Sequence, residues 1–280
     1  MALGLALTGH FSNLIVFTSI ILIHEMGHVF VSRLFKYNVK KIVIYPYGGV
    51  TKLDTIINTS IYKDLLVAIS GTLMQIIYFG FVCFLYSKGV IREYIYNLFF
   101  LYHKSMLIFN LLPIIPLDGF KIFNLITCKF VSFKLSNYIS VVISFVTVII
   151  FLFSDLYERN YSLILVIGIL MQNIYRFYYD ISYIYERFLL ERYLYNIRFK
   201  DKKVVSNINR MYKNKSHFFV KNGKIMDEKM ILSDFFIKNK WFVWLKWKNM
   251  LLLYCFEDLE LITQPHWKGK SSLWHLKSES

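Results

Sequence analysis

Ile20-Ile-Leu-Ile-His24-Glu25-Met26-Gly27-His28-Val-Phe30 sets two imidazoles and a carboxylate inside an apolar run that reaches from about Leu14 to Leu34. About 20 apolar residues are what a helix rising 1.5 Å per residue needs to cross a bilayer. Residues four apart on such a helix share a face, so His24 and His28 point the same way, while Glu25 projects about 100° round from His24. Ionisable groups at that depth cost several kcal/mol unless paired or hydrated, which makes the cluster a functional site by default.

Similar runs recur along the chain. Further spans are expected at about Leu65–Tyr86, Tyr96–Leu117, Tyr138–Phe153 and Ser162–Phe177. Apolar Met1 to Thr8 reads as the end of a truncated first span, which makes about six in all. Hydrophobic residues form 56% of the 280, more than one or two soluble cores require. Only four prolines punctuate the chain, so long helices are easily accommodated. The expected fold is an all-α polytopic membrane protein with a small cytoplasmic α/β module at its C-terminus.

The formal charge is +15. Such an excess suits nucleic acid as well as a positive-inside bias. The loops favour the second source, and no direct nucleic-acid contact is expected. Those after the second and fourth spans carry Lys36, Lys40, Lys41, Lys52 and Lys63, then Lys121, Lys129 and Lys134. The intervening loops carry only Lys88, Arg92 and Arg159, so the rich loops and the basic C-terminus are assigned to the cytoplasm. Cys83, Cys128 and Cys255 have no C-x-x-C spacing and suggest neither a disulfide framework nor a zinc ribbon.

After the spans, Asp180 to Lys200 turns amphipathic and reads as a helix leaving the membrane along its surface. Val204 to Tyr212 is expected to be helical and Ser216 to Val220 a strand. Asn222-Gly223 would form a tight turn returning through Lys224 to Met226, before a helix near Met230 to Ile237. The aromatic run Trp241, Phe242, Trp244 and Trp247 marks either a membrane interface or a packed face.

The chemistry needs one more ligand. A catalytic zinc takes three protein ligands and keeps an open position for water. Asn110-Leu-Leu-Pro113-Ile-Ile-Pro116-Leu-Asp118-Gly119 offers it from another apolar segment. Its prolines remove helical hydrogen bonds and hold the backbone extended. Irregular backbone at membrane depth survives only where it is buried in protein or lines a wet cavity. Asn110 is suited to bonding freed peptide groups or an extended substrate, and Gly119 lets backbones approach. Glu25 is placed to take a proton from water and return it to a leaving amine. Taken singly, each motif also admits a plain structural reading: two core histidines bonded to neighbouring helices, and Asp118 solvated at a helix end. His10, His103, His217, His266 and His275 are read as structural or solvated, and Lys104 as snorkelling or facing a cavity.

His24-Glu25-x-x-His28 combined with Asn110-x-x-Pro113-x-x-Pro116-x-Asp118-Gly119 resembles the site-2 proteases, metal-dependent intramembrane proteases whose usual metal is zinc. The resemblance implies that His24, His28 and Asp118 hold Zn2+, that Glu25 is the catalytic base, and that Asn110, Pro113 and Pro116 shape the active site. Thr8-Gly9-His10, Pro46-Tyr47-Gly48-Gly49 and Phe188-Leu189-Leu190-Glu191-Arg192-Tyr193 look like the sporulation branch of that family. That branch processes a sigma-factor precursor, is held inactive by inhibitory membrane proteins, and carries a cytoplasmic CBS domain linked to ATP. The implied location is the bacterial cell membrane, with the outer membrane around the forespore as one candidate.

The implied division is a transmembrane protease domain at 1–178, an amphipathic linker helix at 179–202, a partial CBS-like module at 203–240 and an unassigned tail at 241–280. Some positions depart from the family pattern. Phe120 replaces its usual second glycine, and Ser70-Gly71-Thr72-Leu73-Met74-Gln75 lacks its usual proline and asparagine. The tail has room for about one CBS motif and no recognisable nucleotide loop, which weakens the case for ATP. Gly48-Gly49 is the expected place for a substrate backbone to pair as an added strand. Two other classes stay open: a non-catalytic membrane scaffold or regulator that retains a structural metal site, and a metal-ion transporter.

Overall fold

The proline-free run around His24 folds as helix α1 (Phe11–Leu34). The computed structural model describes residues 11–45, 48–54, 57–158, 161–195, 197–221 and 224–238. α1 stops because Lys36 takes a left-handed conformation (φ 59°), which lets its N–H and that of Tyr37 bond back to Arg33 O and Ser32 O. A hairpin follows, β1 (Asn38–Tyr45) against β2 (Gly48–Asp54), with Tyr45 opposite Gly48 and Ile44 opposite Gly49. This hairpin corrects the all-α expectation for the membrane part. β-branched Val39, Ile42, Val43 and Ile44 favour an extended backbone there.

Helix α2 (Ile61–Ser87) returns alongside α1 and ends at Gly89 (φ 73°), where the Gly89 and Val90 amides close the last turn. Helix α3 (Glu93–Leu111) then stops short of Leu117, the expected end of that span. Leu112 is extended, as the residue before Pro113 must be. A short non-helical passage leads to α4 (Asp118–Phe130), a separate helix within what reads in sequence as one span and its cytoplasmic loop. Helices α5 (Phe133–Glu158) and α6 (Tyr161–Tyr195) pair with each other. α6 runs unbroken through residues 178–179, the expected junction of protease domain and linker.

Among the described residues, three helical stretches are long and apolar enough to cross a membrane: Phe11–Leu34, Ile61–Ser87 and Phe133–Phe153. The expected fourth and sixth spans overlap α3 and α6 in part. On the first of these, His103 and Lys104 interrupt the apolar run. Met1–Thr8, with Thr8-Gly9-His10, lies outside the described residues, as do Pro46-Tyr47 and the Trp241–Trp247 run. On α1 the side chains of Ile15, Leu22, Met26 and Phe30 stay exposed, an apolar stripe suited to lipid. The opposite side buries Val16 and Ile20 with Val82 and Phe99. A second core gathers Ile114, Ile115, Leu117 and Phe120 against Val148, Leu170 and Ile174.

The chain divides into two compact units, residues 1–228 and 229–280. The first unit ends in a small sheet of order β3 (Lys202–Val205), β4 (Ser216–Lys221) and β5 (Lys224–Asp227). β3 runs parallel to β4, and β5 antiparallel to it. Val204 is therefore in a strand, and the expected helix shrinks to a single 3-10 turn at Ile208–Arg210. Asn207 starts that turn by accepting from the Asn209 amide, as asparagine does in local turns. Lys221 opposes Lys224, while Asn222-Gly223 lies outside the described residues. Helix α7 (Glu228–Lys238) extends into the second unit, where the Phe235 and Phe236 rings meet edge to face at 5.3 Å.

Candidate metal centre

Two elements far apart in sequence meet at one point. α1 supplies His24 and His28 one turn apart, and the first residue of α4 supplies Asp118. Asp118 Oδ2 lies 3.0 Å from His24 Nε2 and 2.9 Å from His28 Nε2, and the two Nε2 atoms are 3.2 Å apart. All three residues are buried. Zinc bonds of about 2.0–2.1 Å in tetrahedral geometry separate ligands by about 3.3 Å. The three atoms are within a few tenths of an ångström of that spacing. Two imidazoles and one carboxylate are also a donor set that suits zinc and leaves one position open.

The surroundings orient the ligands. His28 Nδ1 faces the Val67 carbonyl at 2.8 Å. A carbonyl only accepts, so Nδ1 carries the proton and Nε2 presents its lone pair to the cluster. Such outer bonds fix ring orientation at metal sites. Asp118 Oδ1, the oxygen turned away from the histidines, accepts from Lys121 Nζ at 2.8 Å. Lys121 joins the site without having been expected there. Its i,i+3 spacing from Asp118 at a helix start is the signal that could have found it.

Close backbones build the walls. A Cβ added at Gly71 would lie 2.3 Å from His28 Nε2 and 2.8 Å from His24 Nε2, so the α2 backbone itself borders the cluster. A Cβ at Gly27 would meet Ser70 O at 2.5 Å, which marks the tight crossing of α1 and α2. At Gly119 it would meet Leu111 O at 2.2 Å, the close approach expected of that glycine. Nothing in the local sequence singles out Gly27 or Gly71 for this role. Their requirement is three-dimensional.

The remaining expected site residues lie on several elements. Glu25 is 3% exposed, beside His24 on α1. Asn110 is half-buried in the last turn of α3; in the passage to Asp118, Pro113 and Pro116 are half-buried. Ser144 Oγ of α5 donates to Pro113 O at 2.8 Å and pins that passage. Gly48 and Gly49 open β2 of the hairpin, which packs against α1, and are no part of the His-His-Asp cluster. His103 is buried with its ring stacked on Phe79 at 4.5 Å, and its carbonyl accepts from Gln75 Nε2. Lys104 is exposed.

Several known proteins are similar to this chain. The profile of peptidase family M50 matches residues 12–96, which include His24, Glu25 and His28. Stage IV sporulation protein FB of Bacillus subtilis is 32% identical over 195 residues, covering 69% of this chain and 67% of that protein. A zinc metalloprotease of Methanocaldococcus jannaschii is 33% identical over 159 residues, covering 55% of this chain and 45% of that protein. The solved site-2 protease from the same archaeon superposes with a TM-score of 0.51 at 26% identity, covering 62% of this chain and 83% of that one. The chain belongs to peptidase family M50, the site-2 proteases, and is an integral membrane metalloendopeptidase that uses zinc.

Proposed function

We propose that this protein cleaves a membrane-associated protein near the cytoplasmic face, with His24, His28 and Asp118 as zinc ligands and Glu25 as catalytic base. The observation that carries the reading is the convergence of three buried donors separated by 94 and 90 residues of sequence. Bound zinc supplies a Lewis acid for the scissile carbonyl and for water. Glu25 removes a proton from the attacking water as its oxygen bonds to the carbonyl carbon. It delivers that proton to the amine nitrogen as the C–N bond breaks. Asn110 and the Pro113–Pro116 passage hold the substrate backbone extended, and the hairpin edge beginning at Gly48-Gly49 offers it a strand to pair with.

The substrate we favour is the pro-segment of a sporulation sigma factor, in line with the name of the Bacillus subtilis relative. On this reading the protein works in the outer membrane around the forespore, restrained by inhibitory membrane partners. Residues 1–178 are the protease domain, 179–202 link it to a CBS-like module at 203–240, and the C-terminus is cytoplasmic. ATP binding by that module has no recognisable nucleotide loop behind it. The test is coexpression with the matching sigma-factor precursor. Wild type should remove the pro-segment, and Glu25→Gln should keep zinc yet leave the precursor intact. Near-normal cleavage by Glu25→Gln would end the assignment of the base.

A further inference from the structure

We infer that Lys121 is a positioning residue of the metal centre, holding Asp118 so that a single carboxylate oxygen serves as ligand. This rests on the reading of His24, His28 and Asp118 as zinc ligands. The two oxygens of Asp118 have different partners. Oδ2 faces both Nε2 atoms at 3.0 and 2.9 Å, while Oδ1 accepts from Lys121 Nζ at 2.8 Å.

An exposed i,i+3 ion pair is ordinarily worth little, since water screens both charges. Here the lysine side chain is 46% exposed, but the carboxylate it meets is only 7% exposed. An oxygen of a buried carboxylate that lacks a partner is costly. A carboxylate free to rotate would also bring its second oxygen toward the ion and occupy the position that water needs. The ammonium group prevents both by occupying Oδ1. Gly119 assists, because the tight approach to Leu111 O leaves the first turn of α4 little freedom to rotate Asp118 away.

The arrangement makes a prediction that activity alone would not reveal. In full-length protein in detergent, Lys121→Met should weaken zinc binding about 10–100-fold in competition with a chelator, the range seen when a metal ligand loses its outer partner. With Co2+ in place of zinc, the visible d–d bands of Lys121→Met should weaken as the carboxylate becomes bidentate and the site leaves four-coordination. Lys121→Arg keeps a cation within reach of Oδ1 and should restore both readouts. Wild-type affinity and band intensity in Lys121→Met would overturn the inference, as would Lys121→Arg being as impaired as Lys121→Met. Asp118→Ala separates the two levels. If it retains the full zinc affinity, the ligand assignment itself fails; if it loses zinc while Lys121→Met does not, only the role of Lys121 fails.

Discussion

Arg192 Nε donates to Asn58 Oδ1 over 2.7 Å, joining the last turns of α6 to the segment that leaves the hairpin. The guanidinium has no exposed surface. Its other nitrogens bond the carbonyls of Tyr212, Lys213 and Lys215 and both oxygens of Glu228. Its Cζ lies 4.8 Å from the centroid of the Phe188 ring and 5.0 Å from that of the Phe199 ring. Next to it Glu191 Oε2 accepts from the amides of Ile57 and Asn58. One residue pair thus ties the hairpin exit, the end of α6 and the small sheet together. Lys213 adds a bond to Asp64 in the first turn of α2, the helix that also carries Val67.

Removing Arg192 would take the cationic partner from Glu228 and a donor from three carbonyls at once. Breaking one partner out of a buried ion pair costs about 3–5 kcal/mol. Arg192→Met should therefore lower the melting temperature of the full-length protein by many degrees. Asn58→Ala, which loses a hydrogen bond to a charged group, should cost about 1.5–3 kcal/mol. A melting curve for Arg192→Met that overlays the wild type would show the network to be idle.

His217 gives the same region a pH dependence. Its Nε2 accepts from the Tyr212 amide at 2.9 Å, so the proton of the neutral ring sits on Nδ1, directed at Glu228 Oε2 at 3.2 Å. Burial holds its pKa below the ordinary histidine value, against the pull of Glu228. A folded-state pKa below the unfolded value of about 6.5 means stability that is present above that pH and lost as pH falls toward the folded value. Although burial alone would raise Glu228, bonds from His217 and the charge of Arg192 keep it below the usual carboxylate value, so it too loses stability toward acid. Protonating Nε2 must break the Tyr212 bond. Amide exchange at Tyr212, corrected for its intrinsic rate, should accelerate as pH drops from about 7 to about 5, and His217→Gln should flatten that response. Unchanged protection across this range would contradict the tautomer assigned here.

The parts of this molecule that can be read in one dimension are those whose logic is local. His24 and His28 share a helix face by periodicity alone. Pro113 and Pro116 announce broken helix, and the broken passage does deliver Asp118. Other features depend on what comes near in space. The hairpin at Asn38–Asp54 grows from β-branched residues that, taken locally, show only a polar loop with an extended end. α4 is hidden in the sequence because Asp118, at its first position, closes an apolar run that looks like one span. Local pattern puts Val204 in a helix, whereas its partner on β4, Phe218, is a tertiary contact. Gly71 carries no visible signal beyond its place in a family element, since its constraint comes from two histidines on another helix.

Gly71 therefore supplies a test of the centre that leaves every ligand in place. A methyl group there would lie 2.3 Å from His28 Nε2. Relief by sliding α2 away is opposed where Gly27 meets Ser70 O, because backbone touches backbone at that crossing and separation would open a void. The imidazoles must yield, and His28 would lose either its bond to Val67 O or its aim at Asp118. An ion that binds only the folded protein stabilises it by about 2.7 kcal/mol at 100 times its Kd. Chelation should accordingly lower the melting temperature of wild type, and zinc should restore it. Gly71→Ala should melt at nearly the same temperature with and without zinc, matching Asp118→Ala in this respect. A full zinc-dependent shift in Gly71→Ala would mean that the α2 backbone does not border the ion, and the geometry described for the centre would have to be redrawn.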